Sequence, residues 1–144
     1  MPRILIAFDD SAPALRAVKQ VAGSAGSMTW VTAVLLNVQH AVPVSGRIFD
    51  GSRAEIRKLE EPLRRAGSEM LRKAAALLDA AGVPHATFVE VGDPAPIIAE
   101  CARRNHCDML VMGTRGMGAV GNLLLGSVAT KVLHLVKVPV MLVK

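Results

Sequence analysis

Apolar and polar positions in this chain fall into blocks, short continuous apolar runs alternating with stretches whose apolar positions step by three and four. RILIAF (Arg3 to Phe8) is a short apolar run ended by Asp9, Asp10 and Ser11, which predicts a buried strand. In APALRAVKQVAG, Leu15, Val18, Val21 and Ala22 share one helical face and Arg16, Lys19 and Gln20 another, with Gly23 and Gly26 as stops. MTWVTAVLLNV (Met28 to Val38) is β-branched and apolar, a second strand, and QHAVPVSGRIFDGS after it is a loop punctuated by Pro43, Gly46 and Gly51. A long helix is predicted from about Arg53 to Ala81. Its apolar positions Ile56, Leu59, Leu63, Ala66, Met70, Ala74, Leu77 and Leu78 step by three and four, and Gly82 closes it. Pro62 lies inside that period and either kinks the helix or starts a second one. HATFVEV, DMLVM (Asp108 to Met112) and VPVMLV read as strands three, four and five. PAPIIAECARRN is a helix, and Val128, Val132 and Leu135 mark the last one.

The order βαβαβαβαβ predicts a parallel sheet with helices on both faces and right-handed crossovers. Alanine, valine and leucine supply much of the 51% hydrophobic content and aromatics only 3%, as suits apolar strands covered on both sides. At 144 residues the expected fold is a single-domain, doubly wound, Rossmann-like α/β sheet of five mainly parallel strands in the order 3-2-1-4-5, spanning 1–144. Ligands of such sheets sit beyond the carboxyl ends of the strands, where strand order reverses. Three loops therefore matter: those starting at Asp9, Val38 and Gly113.

Charge and special residues exclude several classes. ILIAF is too short for a signal peptide and no segment is long enough to span a membrane, so the cytoplasm is the expected location. Cys101 and Cys107 flank ARRNH without the further ligands a zinc site needs, and are expected to be free thiols. Net charge is +5 and the pI about 9.8, which suits nucleic acid or a small polyanion equally well. Arg47 to Lys73 carries eight Lys/Arg against five Asp/Glu, a mixed helix face without stacking aromatics, so nucleic-acid binding is not expected.

Five glycines crowd into residues 113–126, in GTRGMGAVGNLLLG, between the fourth strand and the last helix. Gly113 and Gly116 would permit left-handed backbone angles and let a ligand approach where no Cβ intervenes. Successive N–H groups there would form an anion nest. Ser127 stands at the expected N-cap, so Gly126, Ser127 and Val128 would offer N–H groups, a hydroxyl and the positive helix end to a phosphate. The same glycines also suit an ordinary solvent connector with a structural cap. Gly121 and Gly126 have P-loop spacing, but Ser127 occupies the lysine position; the first strand–helix turn, FDDSAPA, lacks the Rossmann glycines. Arg115 and Lys131 are the nearest cations.

GTRGMGAVGNLLLGS matches without a gap the G-x2-G-x9-G-[ST] pattern of the ATP-binding branch of the universal stress protein family, and the chain resembles that family throughout. ILIAFDDSAPALRAV resembles its first strand and helix, VLLNV its second strand, VEVGDPAPIIAECA its third strand and Gly-Asp-Pro turn, and CDMLVMGTRG its fourth strand. By position, the resemblance implies that Asp9, with Ala7 and Phe8 behind it, hydrogen-bonds a ribose, the alternative being that Asp9 simply caps the first helix. Of the two readings of Asp9 the ribose contact is the favoured one. The resemblance also implies that Val38 backbone groups read the adenine edge and that Met112 and Gly113 lie against the ribose and α-phosphate. Arg115, Gly116, Gly126, Ser127 and Val128 would surround the phosphates. Asn37 and Arg115 stand where the family frequently has histidine, and Asp93 reads as a turn or cap.

The resemblance further implies an ATP-binding regulatory protein, with Mg²⁺ accompanying the nucleotide and a homodimer formed through residues 139–143. No catalytic residue and no protein metal site is expected. The alternatives are a slow ATP hydrolase, with Asp9 and Asp10 holding Mg²⁺ through water, or a binder of another adenylate such as AMP or cAMP.

Overall fold

The computed structural model describes residues 1–25, 31–41, 51–116 and 125–144. The expectations placed on Gly26, Met28 to Trp30, Pro43, Gly46, Gly118 and Gly121 lie outside the described residues.

Nine elements follow in the order β1 (Arg3–Ala7), α1 (Ala12–Ser24), β2 (Thr32–Gln39), α2 (Arg53–Ala80), β3 (His85–Val91), α3 (Pro94–Arg104), β4 (Met109–Gly113), α4 (Ser127–Leu135) and β5 (Val140–Val143). The sheet runs β3-β2-β1-β4-β5. All four neighbouring pairs are parallel, for example Ile6 opposite Leu35 and Val111. The chain steps outward from β1 to β3 and then returns to the other side of β1, so strand order reverses between β1 and β4.

Two cores hold the layers together. Ile6, Leu35 and Val111 point to one face of the sheet and pack with Ala17, Val18, Leu71 and Leu78 of α1 and α2. Leu5, Leu36 and Leu110 point to the other and pack with Ile98, Ala102 and Val132 of α3 and α4. Successive residues of the central strands β1, β2 and β4 serve opposite cores, which is why those strands read as continuous apolar runs.

In α2 no second helix starts at Pro62: the helix runs unbroken from Arg53 to Ala80, with Pro62 exposed. The early apolar positions are not core: Ile56 and Leu59 are 38% and 41% exposed, and Ala66 is exposed while Gly67 is buried. A 28-residue helix is roughly 42 Å long. The eight-residue β2 spans only about 26 Å, so the first turns of α2 overhang the sheet. The burial begins at Gly67, where a Cβ would lie 2.5 Å from Val89 Cγ1 and 2.6 Å from Asn37 Oδ1. Among the described residues no helix is long and apolar enough to cross a membrane.

Candidate functional site

At the carboxyl edge of the sheet, over the reversal between β1 and β4, lies a cavity of about 680 Å³. The ends of β1, β2 and β4 and the start of α4 all reach it. Ala7, Phe8 and Asp9 come from β1 and its following loop, and Val38 from β2. Met112 and Gly113 come from β4, and Arg115, Gly116, Gly126, Ser127 and Val128 from the glycine segment and α4. The eleven residues singled out in the sequence thus line one cavity. Lys131, the other candidate cation, is exposed on α4 and does not line it.

The glycines work differently from expectation. Neither Gly113 nor Gly116 has a positive φ, so left-handed backbone geometry is not what requires glycine there. Close approach within the protein is. A Cβ on Gly113 would lie 2.8 Å from Pro13 Cβ and 2.9 Å from Ala14 N, at the first turn of α1. A Cβ on Gly116 would lie 2.6 Å from Asp9 Oδ2. Gly126 is similarly tight, 3.3 Å from Arg115 Cα and from Thr114 O, and its N–H donates to that carbonyl at 2.7 Å. These contacts draw the β1 loop, the β4 loop and the start of α4 around the same opening.

Ser127 is not the N-cap of α4. Gly126 is, with extended backbone angles, because its carbonyl accepts the first helical bond from Thr130 N–H at 3.0 Å. Glycine brings no capping side chain of its own to the first turn. Ser127, Val128 and Ala129 each carry an N–H at the positive end of the helix, and all three line the cavity. The neighbouring helices offer less. Pro94 and Pro96 remove donors from the first turn of α3, and Pro13 removes one from α1, where Ser11 Oγ already accepts from Ala14 N–H at 3.2 Å. Donors for an anion therefore concentrate on α4.

Ser11, not Asp9, caps α1. Asp9 Oδ1 accepts from Ser11 N–H at 3.0 Å, which holds the carboxylate at the cavity wall with Oδ2 against Gly116. The next residue, Asp10, has a φ of 64° and pairs with Lys73 Nζ at 2.8 Å, turning the chain from β1 into α1. Asp93 occupies the N-cap position of α3 without a capping bond from its side chain.

Strand register explains how Val38 can act through its backbone. Leu36 is the last β2 residue matched by β1, its carbonyl accepting from Phe8 N–H at 2.8 Å. In a parallel ladder, residues two apart direct N–H and C=O to the same neighbour. Val38 therefore directs both groups past the end of β1 into the cavity. Leu36, Val38, Ile98 and Met112 add apolar surface around that point.

Sequence reading missed Asn37, Gln39 and Met70 as cavity residues, together with Ser11 and Thr114. Asn37 carried a signal: a polar residue in the apolar run VLLNV, here 1% exposed, whose Nδ2 donates to Phe8 O at 2.8 Å. Met70 carried none, because its helical period marks only a core position.

Both cysteines are free and buried, as expected. Burial pushes the Cys101 thiol up to about 11 and also raises that of Cys107, so neither is an activated nucleophile. Among the described residues no group of three His, Cys, Asp or Glu side chains is placed to hold a metal ion.

Comparison with known proteins agrees with this architecture. The family model described as the universal stress protein family matches residues 1–144. A universal stress protein of Thermus aquaticus, from the 3′ region of QAH/OAS sulfhydrylase, is 34% identical over 143 residues, covering 98% of this chain and 97% of that one. The solved structure of hypothetical protein MJ0577, described as a structure-based assignment of biochemical function, superposes with a TM-score of 0.81 at 25% identity, covering 99% of this chain and 94% of that one. A universal stress protein solved in complex with cAMP gives a TM-score of 0.69 at 26% identity, with 99% and 97% covered.

Proposed function

This chain belongs to the universal stress protein family, and from that premise we propose that it is a nucleotide-dependent regulatory module that binds ATP at the carboxyl edge of its sheet. The observation that carries the reading is the convergence of all eleven expected residues on one cavity, with the glycine-capped first turn of α4 as its donor-rich wall. The adenine edge meets the N–H and C=O of Val38, with Ala7 and Phe8 behind Asp9. Asp9 accepts from the ribose hydroxyls. Met112 and Gly113 lie against the ribose and α-phosphate. The phosphates take the N–H groups of Ser127 and Val128 and the Ser127 hydroxyl, with Gly116 and Gly126 keeping the approach open and Arg115 supplying positive charge.

A cavity of about 680 Å³ lies within the usual size range for small-ligand sites. Mg²⁺ would accompany the nucleotide on its phosphates, as it commonly does. The relative solved with cAMP favours a second reading, in which another adenylate such as AMP or cAMP is the ligand. Melting the nucleotide-stripped protein with each compound in turn distinguishes them. At about one hundred times Kd, the true ligand adds roughly 2.7 kcal/mol and raises Tm by several degrees. An unchanged Tm with all three contradicts the proposal.

The proposal includes a homodimer formed through residues 139–143. Among the described residues β5 pairs only with β4, and Met141 on it is 39% exposed; Leu133 and Leu135 of α4 are exposed as well. An apolar edge strand left bare invites pairing with another chain. Sedimentation velocity at micromolar concentration should show a dimer, and a monomer there removes this part of the reading.

A further inference from the structure

Gln39 is the last residue of β2 and lines the cavity beside Asn37, Val38 and Met70. The polarity of its side-chain amide can be traced from a fixed point. The Phe8 carbonyl can only accept, so the Asn37 atom 2.8 Å from it is the donor Nδ2. Asn37 is 1% exposed, and reversing its amide would set oxygen against oxygen in the core. Its other end, Oδ1, is consequently an acceptor. It faces the Gln39 amide at 2.8 Å, and Gln39 must present Nε2 there. Met70 Sδ, a weak acceptor, lies 3.6 Å from Asn37 Nδ2 and 3.8 Å from Gln39 Nε2, which agrees with the same orientation of both amides. The relay from Phe8 through Asn37 thus commits the nitrogen of Gln39 to the protein and leaves Oε1 as the end available to a ligand.

Building on the nucleotide reading above, we infer that Gln39 is a base-selecting residue, whose Oε1 accepts from an exocyclic amine and so favours a 6-aminopurine over a 6-oxopurine. The neighbouring Val38 directs its backbone past the end of β1, so the edge of a base placed there lies within reach of residue 39. A 6-oxo group sets acceptor against acceptor, and the fixed relay prevents Gln39 from turning its amide to compensate. Sites built to hydrogen-bond a substrate group reject analogues that cannot reciprocate, because their own polar atom is left unpaired.

The test is calorimetric titration of nucleotide-stripped protein with ATP and with inosine triphosphate, which differ in the 6-substituent and the protonation of N1. Gln39→Met keeps the length of the side chain and its packing beside Met70 while removing the acceptor. The wild-type protein should prefer ATP, and Gln39→Met should reduce the ATP-to-inosine-triphosphate affinity ratio about tenfold, leaving the share due to Val38. An equal loss for both nucleotides in Gln39→Met assigns the residue to packing and overturns the inference, as does equal binding of both by the wild type. Binding of neither by the wild type overturns the nucleotide reading itself, a distinct failure.

Discussion

Gly116→Val should weaken Mg²⁺–ATP binding by at least about thirtyfold, roughly 2 kcal/mol, while moving Tm by no more than a few degrees. Gly116 is exposed, so added methyl groups disturb no core. Their nearest obstacle is Asp9, whose Oδ2 would lie 2.6 Å from the new Cβ. Asp9 cannot simply swing away at no cost, because its Oδ1 accepts the Ser11 N–H that leads into α1. The substitution therefore displaces the proposed ribose contact and places a branched side chain at the cavity wall. Calorimetry paired with thermal melting reads both quantities. Unchanged affinity in a folded variant would remove Gly116 and Asp9 from the site.

Gly113→Val should fail in a different way, losing about 3 kcal/mol of stability and roughly 10 °C in Tm. Gly113 is buried at the end of β4, and its Cβ would meet Pro13 Cβ and the backbone nitrogen of Ala14. The obstacle here is the first turn of a helix rather than one side chain. The variant must push α1 away from β4 or strain both, and overpacking against backbone belongs at the upper end of such costs. Denaturant or thermal unfolding measures it, and a wild-type melting curve would show that α1 does not pack on this glycine. The two glycines have the same sequence signal and opposite expected readouts, affinity in one case and stability in the other.

That contrast marks what could be read from the residues. Strand and helix identities were legible because the apolar runs and the three-and-four stepping are strong periodic signals, and strict alternation left a parallel sheet as the natural assembly. Burial along α2 was not legible: Ile56 and Leu59 keep the core period, but a period cannot tell how far the sheet beneath extends. The candidate cavity was legible through glycine spacing after β4, Asp9 after β1 and the end of β2. The reasons for the glycines were not, since Pro13 and Asp9 reach them only through the fold. Ser127 looked like the cap by residue type, yet the chain enters the helix one residue earlier, at a glycine that has no capping side chain of its own. Asn37, Gln39 and Met70 meet across more than thirty residues of sequence, a contact that local pattern does not encode.

The most direct measurement is a calorimetric titration of nucleotide-stripped protein with Mg²⁺–ATP, repeated at a second temperature so that a vanishing enthalpy does not hide binding. Saturable binding near one nucleotide per chain is the expected result. No binding heat at either temperature would contradict the assignment of this cavity to ATP.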